Sequence, residues 1–476
     1  MARFELPFLG PAYEARSQTL STERCINWYF EAVESGKGKA PWALYGTPGL
    51  TRTVTLPGAG GVRSMHRSTR DGRPFVVQGN KLFELTSPTS FVERGTVSGK
   101  NTRVSMDNTA LELAIVDGQQ GWILNLDTGV FQQITDPSFF PANTVISTGG
   151  FFLFDHVGTN QIFFSNLLDG LSYTSTDFFS AEGSPDKVIG VHRSHGEVWA
   201  FGEDTTQVFV NTGGLSNPFT VLQNAFMETG TVSPYTMVQL DDQTYWVGRN
   251  EDGAGTVWRA SGYTNNRIST HAVATALNKT DMASLTAYGY QEEDHFFYVI
   301  QTLSHTWTYD ATNGLWTERG RLTDEGLLVP QRPWVHMFAF GKHLVGDQTT
   351  GAIYVSDLDV YMNDTEPISR IRRAPYWATR RTRSTHSMVE IDMEVGVGLN
   401  DGAASAIDPQ ITLAWSDTHG KEWSNVYRES LGKQGEDLQR VRFWRLGQTF
   451  DRVYESVVTA PVKVTMLGAY LEARVS

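Results

Sequence analysis

From about residue 60 to about residue 365 the chain repeats one pattern: a short apolar run, a polar or glycine turn, and another apolar run. "PFVVQGNKLFELT" (Pro74 to Thr86) and "LELAIVDGQQGWILNL" (Leu111 to Leu126) are the first two clear cases. "GGFFLFDHVGTNQIFFSN", "GEVWAFGEDTTQVFVNTG", "QTYWVGRNEDGAGTVWRAS", "DHFFYVIQTLSHTWTYD" and "HMFAFGKHLVGDQTTGAIYVSD" follow in order. Runs of this length bounded by turn residues predict strands paired as hairpins. One hairpin has an echo. "DATNGLWTERG" follows "SHTWTY" as "LDTGVFQQITD" follows "GWILN": an Asp, a turn with Gly, then an aromatic opening the next strand. Asp and Asn hold such turns by side-chain hydrogen bonds and Gly takes the positive φ.

The units begin near Gly61, Thr102, Thr144, Asp186, Thr231, Ser284 and Pro333. Their spacing, roughly forty to fifty residues, is the period of a four-stranded propeller blade. The fold class is therefore all-β, with a β-propeller of about seven blades over 59–366; six stays open because the first and last units are weakest. A string of β-sandwiches would give the same regular spacing. At "NDTEPISRIRRAPYWATRRTRS" (Asn363 to Ser384) the composition shifts to six arginines and two prolines, which marks a boundary. Beyond it, residues 367–476 hold five alternating runs, "MVEIDMEVGVG", "QITLAWSDTHGKEW", "RVRFWRLGQTF", "YESVVTA" and "VKVTMLGAYLEA", enough for a C-terminal β-sandwich-like domain. Residues 1–58 have little periodicity and read as an extended N-terminal arm. Helix is nearly absent; "HAVATALN" (His271 to Asn278) is the best short candidate.

Length changes the picture little: 476 residues exceed one core, and 40% hydrophobic with 12% aromatic residues can fill several. The charge matters more. With 39 basic and 52 acidic side chains the formal charge is −13, so the average surface does not grip DNA phosphates. One cysteine, Cys25, excludes an internal disulfide, fits a reducing compartment and reads as an ordinary half-buried thiol. No apolar run approaches a membrane span, and Pro7 and Pro11 interrupt what would be a signal-peptide core.

Candidate chemistry is sparse. "SDTHGKEW" (Ser416 to Trp423) approaches the Asp box of sialidases, Ser-x-Asp-x-Gly-x-x-Trp, but Thr418 stands at the Asp position, and the box itself is a structural turn. His192 and His195 would face opposite sides of a strand and lack zinc-spaced partners. The acidic groups Asp241-Asp242 and Glu292-Glu293-Asp294 sit at predicted turns. Trp199, Trp246 and Trp258 read as blade-core anchors. There is no P-loop, G-x-S-x-G or strand-following G-x-G-x-x-G, so no catalytic, cofactor or metal residue is assigned. Arg370, Arg372, Arg373, Arg380, Arg381 and Arg383 are the one concentrated positive feature; they form either a solvated linker or a contact for an acidic partner or a subunit interface. Phe4, Phe8, Trp28, Tyr29 and Phe30 give the arm apolar surface that a lone subunit would expose, which points to intermolecular contacts. On this reading, deleting residues 1–20 leaves a folded subunit that fails to assemble.

Six stretches carry a family resemblance. "ELPFLGPAYEARS", "CINWYFE" and "LYGTPGL" open the chain in order. "FFSAEGSPDKVIGVHRSHGEVWAFGEDTTQVFVNTGGLSNPF" and "YWVGRNEDGAGTVWRASGYTNNRISTHAV" lie in the middle, and "RFWRLGQTFDRVYESVVTAPVKVTMLGAYLE" closes it. Over nearly its whole length the chain resembles the packaged-DNA stabilisation proteins, the tail hub or nozzle subunits of short-tailed bacteriophages. The resemblance implies a non-enzymatic virion tail protein, assembled in the host cytoplasm. It implies a homo-oligomer, a hexameric ring below the head-to-tail adaptor, holding a tail needle or plug and flanked by tailspikes or fibres. Double-stranded DNA would pass through the channel without sequence-specific binding, and the acidic charge would let it slide. No cofactor is implied. The alternative is a propeller-fold tail hydrolase or carbohydrate-binding protein acting on the host surface.

Overall fold

The computed structural model describes residues 2–33, 38–99, 102–214, 217–249, 253–323, 325–379 and 382–475. Six four-stranded antiparallel meanders follow one another at 62–96, 105–133, 145–180, 188–227, 238–267 and 286–319. A seventh has three consecutive strands, Pro333–Ala339, Lys342–Asp347 and Ala352–Asp357. Its fourth strand is Gly49–Thr55, brought back from the far end of the chain to pair with Ala352–Asp357. First strands of neighbouring blades pack side by side except between blades four and five, which meet through a shared core, and that of the seventh blade meets that of the first, so the ring closes. The propeller has seven blades.

Alternation decides which blade each side chain serves. Phe75 and Val77 pack with Leu113, Ile115 and Trp122 between blades one and two. Val76, between them in sequence, points the other way into the core shared by blades seven and one. Ala114 and Val116 likewise face blade three, opposite to Leu113 and Ile115. A strand covered on both faces has no polar side, and this is why the middle runs read as unbroken apolar segments. Trp199 and Trp246 are fully buried between blades four and five, with Trp258 packed against them.

The turns follow their chemistry. Asp241-Asp242 and Glu293-Asp294 have positive φ at both residues, as a two-residue type I′ hairpin turn requires. The echoing turns occupy equivalent places, between the third and fourth strands of blades two and six. In the first, Asn125 Oδ1 accepts from Asp127 N and Thr128 N; in the second, Asp310 Oδ1 accepts from Thr312 N. Gly129 and Gly314 supply the left-handed residue, with φ of 72° and 70°. The helix His271–Leu277 forms as expected, capped by the Thr270 hydroxyl, which accepts from Val273 N.

Most of the remaining strands make a sandwich. One sheet runs Trp28–Ala32, Trp42–Gly46, Thr465–Val475, Ser384–Met393, Val441–Thr449, with Ala2–Leu6 also paired to Thr465–Val475. The facing sheet runs Thr22–Ile26, Arg370–Arg373, Asp451–Val458, Gln410–Ser416, Tyr427–Ser430. All five predicted C-terminal strands are present. Two expectations are corrected. The N-terminal segment is not a free arm: its strands belong to both sheets of the sandwich and to blade seven. The arginine-rich boundary is not a linker throughout, because Arg370–Arg373 is an internal strand between Thr22–Ile26 and Asp451–Val458.

The two parts share one sheet and one core. Ile26 pairs in parallel with Glu318, so the outer edge of blade six continues into the sandwich. Trp28, Phe30 and Leu471 of the sandwich lie in the same buried cluster as Tyr245, Tyr298 and Trp316 of blades five and six.

Candidate functional site: the joint between propeller and sandwich

Arg372 lies one strand in from this joint, behind Thr22–Ile26, with its side chain fully buried. Nε donates to Phe8 O, Nη1 donates to Arg24 O and Arg373 O at 2.9 Å each, and Nη2 reaches Pro7 O at 3.4 Å. Glu23 is 3.6 Å away. A buried guanidinium is tolerated when backbone carbonyls replace its water, and here they come from three separate segments. Gly10 is what lets the chain pass: a Cβ there would lie 2.8 Å from Arg372 Nη2. Arg370 is also buried, threaded beside Gly46, whose missing Cβ would stand 2.3 Å from Nε. Burial pulls its pKa down to about 10.

The other predicted residues divide. Arg373 is part-buried, paired with Glu455 at 2.7 Å and stacked on the Trp423 ring. Arg383 is exposed, its guanidinium 5.2 Å from the Phe450 ring centre. Arg380 and Arg381 lie outside the described residues. Phe8, Trp28, Tyr29 and Phe30 are buried within the subunit, and Phe4 is half-buried against Trp377. The apolar surface expected of the arm is thus covered by the chain's own sandwich. Cys25 is fully buried, and burial pushes its thiol up to about 12.

Two charged clusters fasten the N-terminal strands to blade six. Arg24 meets the buried Glu318 through Nε and Nη2, at 3.1 and 2.5 Å. Burial pushes the Glu318 carboxyl up, but Arg24 and His305 outweigh it and hold the pKa at about 2. Bidentate geometry is what makes such a pair strong. His295, buried, bridges Asp310 on blade six and Glu31 in the sandwich, at 2.8 Å each. Burial disfavours its charge, yet the two carboxylates raise its pKa to about 9. A histidine raised above its unfolded value contributes stability that is complete below about pH 6.5 and is lost as pH rises through the folded value. The urea midpoint of the wild type should therefore fall between pH 6.5 and 9, and His295→Gln should flatten that fall. Parallel profiles for the two proteins would show that the bridge carries no linkage.

The remaining sequence candidates are structural. Ser416 Oγ accepts from Gly420 N and Thr418 Oγ1 from Glu422 N, each at 2.9 Å, so both hydroxyls are used by the turn itself. Asp417, next to them, is held by Arg452 through two bonds of 2.7 and 2.8 Å. His192 lies on a strand while His195 forms the following turn with φ 52° and bonds Ser194, so they share no site. No cluster of three metal-ligating side chains occurs among the described residues. No helix among them is long and apolar enough to cross a membrane.

This architecture is a closed propeller whose N-terminal strands are built into everything around it. A model of the family described as bacteriophage P22 Gp10, beta-propeller, matches residues 5–361, from the first N-terminal strand through all seven blades. The chain belongs to that phage stabilisation family. It is accordingly a bacteriophage structural protein of the DNA-stabilisation type. No curated protein sequence matches it. Among solved structures it is similar to the extracellular domain of the hybrid two component system BT4673 from B. thetaiotaomicron, at 11% identity and a TM-score of 0.45. That match covers 65% of this chain and 40% of the other, so the chain spans under half of that protein. The N-terminal domain of Nup159 is similar at 12% identity and a TM-score of 0.39, covering 71% and 97% of the two chains. The designed protein Ika8 is similar at 10% and 0.38, covering 64% and 99%.

The arginines Arg319 and Arg321, at the end of blade six, escaped the sequence reading. They stand either side of Gly320 in "TERGRL", a stretch that reads as a strand end with exposed charges. Only the fold turns them into a cavity.

Proposed function

We propose that this protein is a non-enzymatic subunit of a phage tail hub or nozzle. Six copies form a ring that extends the portal–adaptor channel, retains packaged double-stranded DNA and conducts it at ejection. The family match over residues 5–361 carries this reading. The needle or plug, the head-to-tail adaptor and the tailspikes or fibres are the neighbours it assigns. A rigid propeller fused to a sandwich through a shared sheet suits such a role, because it presents wide faces that do not flex under load. Contacts between copies or with neighbours are assigned to surface that the fold leaves open, including Arg383 with the exposed Phe450 and Trp444. Negative-stain images of the purified protein mixed with its portal–adaptor assembly test the reading: a ring with an axial channel supports it, and a monomer that never joins the assembly overturns it. Hydrolysis of a host-surface glycan by the isolated protein would favour the tail-hydrolase alternative.

The same reading predicts weak affinity for DNA. The charge of −13 opposes phosphate binding, and three of the boundary arginines are turned into the subunit or paired: Arg370, Arg372 and Arg373. Each phosphate contact would add roughly 0.9 to the slope of log K against log salt. Anisotropy titrations with duplex DNA at low salt should show no binding at micromolar protein. Micromolar binding that weakens steeply with salt would reveal a gripping surface and refute the sliding-channel account.

A further inference from the structure

Between blades six and seven lies a partly enclosed cavity of about 40 Å³, bordered on one side by Asn27, Thr47, Pro48 and Leu50. By the usual allowance of about 10–15 Å³ per water, this holds a few waters or one ion of a few heavy atoms. Its polar wall is one-sided. Arg319, Arg321 and Arg332 supply three guanidinium groups, Tyr288 and Tyr290 supply hydroxyls, and no carboxylate lines it. His336 and His343 are bonded to each other at 3.0 Å; burial pulls both imidazoles down, so they add no charge at neutral pH.

Arg319 is the deciding residue. It is 8% exposed, sandwiched near the rings of Tyr290 and Phe297, and donates from Nη2 to Tyr290 Oη. Its Nε is fully buried with no hydrogen-bond partner. The next carboxylate along the strand, Glu318, is taken by Arg24 on the opposite face. Glu292 attracts Arg319 through space but makes no ion pair with it within contact distance among the described residues. Arg321 Nε, on the same wall, is also buried without a partner. Arg332 differs, being held by Glu366 and lying 3.9 Å from Asp347. Two guanidinium groups with unused buried donors cost several kcal/mol unless something accepts from them.

From this we infer that the cavity between blades six and seven binds a small oxyanion, a phosphate, sulfate or short carboxylate, on the Nε donors of Arg319 and Arg321. An anion there would bridge blade six, the connection to blade seven and the N-terminal segment, locking the closure of the ring. The binding adds stability by mass action, as RT ln(1 + c/Kd) at anion concentration c, so its signature is a melting temperature that climbs with the logarithm of anion concentration once the site fills. Excluded salts also stabilise proteins, but without regard to one arginine.

The test melts the full chain in phosphate, sulfate, acetate or chloride at matched ionic strength, for the wild type, Arg321→Met and a surface control, Arg52→Met. The expected result is a rise of several degrees, linear in the logarithm of anion concentration, in wild type and control that disappears in Arg321→Met. An Arg321-dependent rise with phosphate and sulfate identifies a tetrahedral anion; one with acetate alone identifies a carboxylate. No rise, or a rise equal in all three proteins, means that water fills the cavity and overturns the inference. Should Arg321→Met not fold, calorimetric titration of phosphate, sulfate and acetate into the wild-type protein decides: saturable heat with one of them supports the site, and its absence with all three overturns it.

Discussion

Arg372→Met should destabilise the subunit by on the order of 3–5 kcal/mol, the range found when one partner of a buried charged network is removed. The side chain satisfies carbonyls of Phe8, Arg24 and Arg373 where it is completely shielded from solvent. Methionine matches much of the volume but donates nothing, so those oxygens stay buried and unpaired. Glu23 loses its counter-charge as well; burial already raises its pKa and Arg372 opposes that rise. Lysine should rescue little, because a single ammonium cannot span carbonyls arranged for a planar fork. Urea melts followed by tryptophan fluorescence read the effect as a lower midpoint. A midpoint within the scatter of wild type for Arg372→Met would mean that the network is dispensable.

Deleting residues 1–20 should have a still larger effect, and of a different kind from the assembly defect that the sequence suggested. The deletion removes the strand Ala2–Leu6, paired along its length with Thr465–Val475, and it removes Phe8, which is completely buried. Loss of a buried Phe side chain alone costs about 3–5 kcal/mol. The deletion also exposes a long apolar strand edge, which invites aggregation, and strips Arg372 of its Phe8 and Pro7 carbonyls. The truncated chain should be proteolysed rapidly and be recovered mainly as aggregate, whereas Phe8→Ala should fold with a clearly lowered melting point. A truncated protein that is monomeric, protease-resistant and as stable as the full chain would restore the view of the segment as an external arm.

The blades were legible because their information is local. A strand such as Phe75 to Gln78 shows in four residues that both its faces are covered, and a turn such as Asp310 to Gly314 declares its geometry through Asp, Asn and Gly. The arm and the boundary were misread because their partners are remote. Phe4 pairs with Leu471, and the strand that completes blade seven lies three hundred residues from the rest of it. Arg370 and Arg372 alternate with Ile371 and Arg373 as any strand does, but a buried arginine looks polar in sequence. What makes it a core residue is a set of carbonyls near residues 8 and 24, which no local window contains.

The sequence by itself determined an all-β chain, its repeated units (about seven, with six left open), the five C-terminal strands and the family resemblance. Each of these rests on side-chain alternation, turn chemistry or ordered motifs within a few tens of residues. Only the tertiary structure decided where the N-terminal strands go, that Arg370 and Arg372 turn inward, and that Arg319 and Arg321 line one cavity. Those outcomes depend on which backbone carbonyls, carboxylates and rings from distant strands surround a charge. Burial of a charge is affordable only when such partners are already in place.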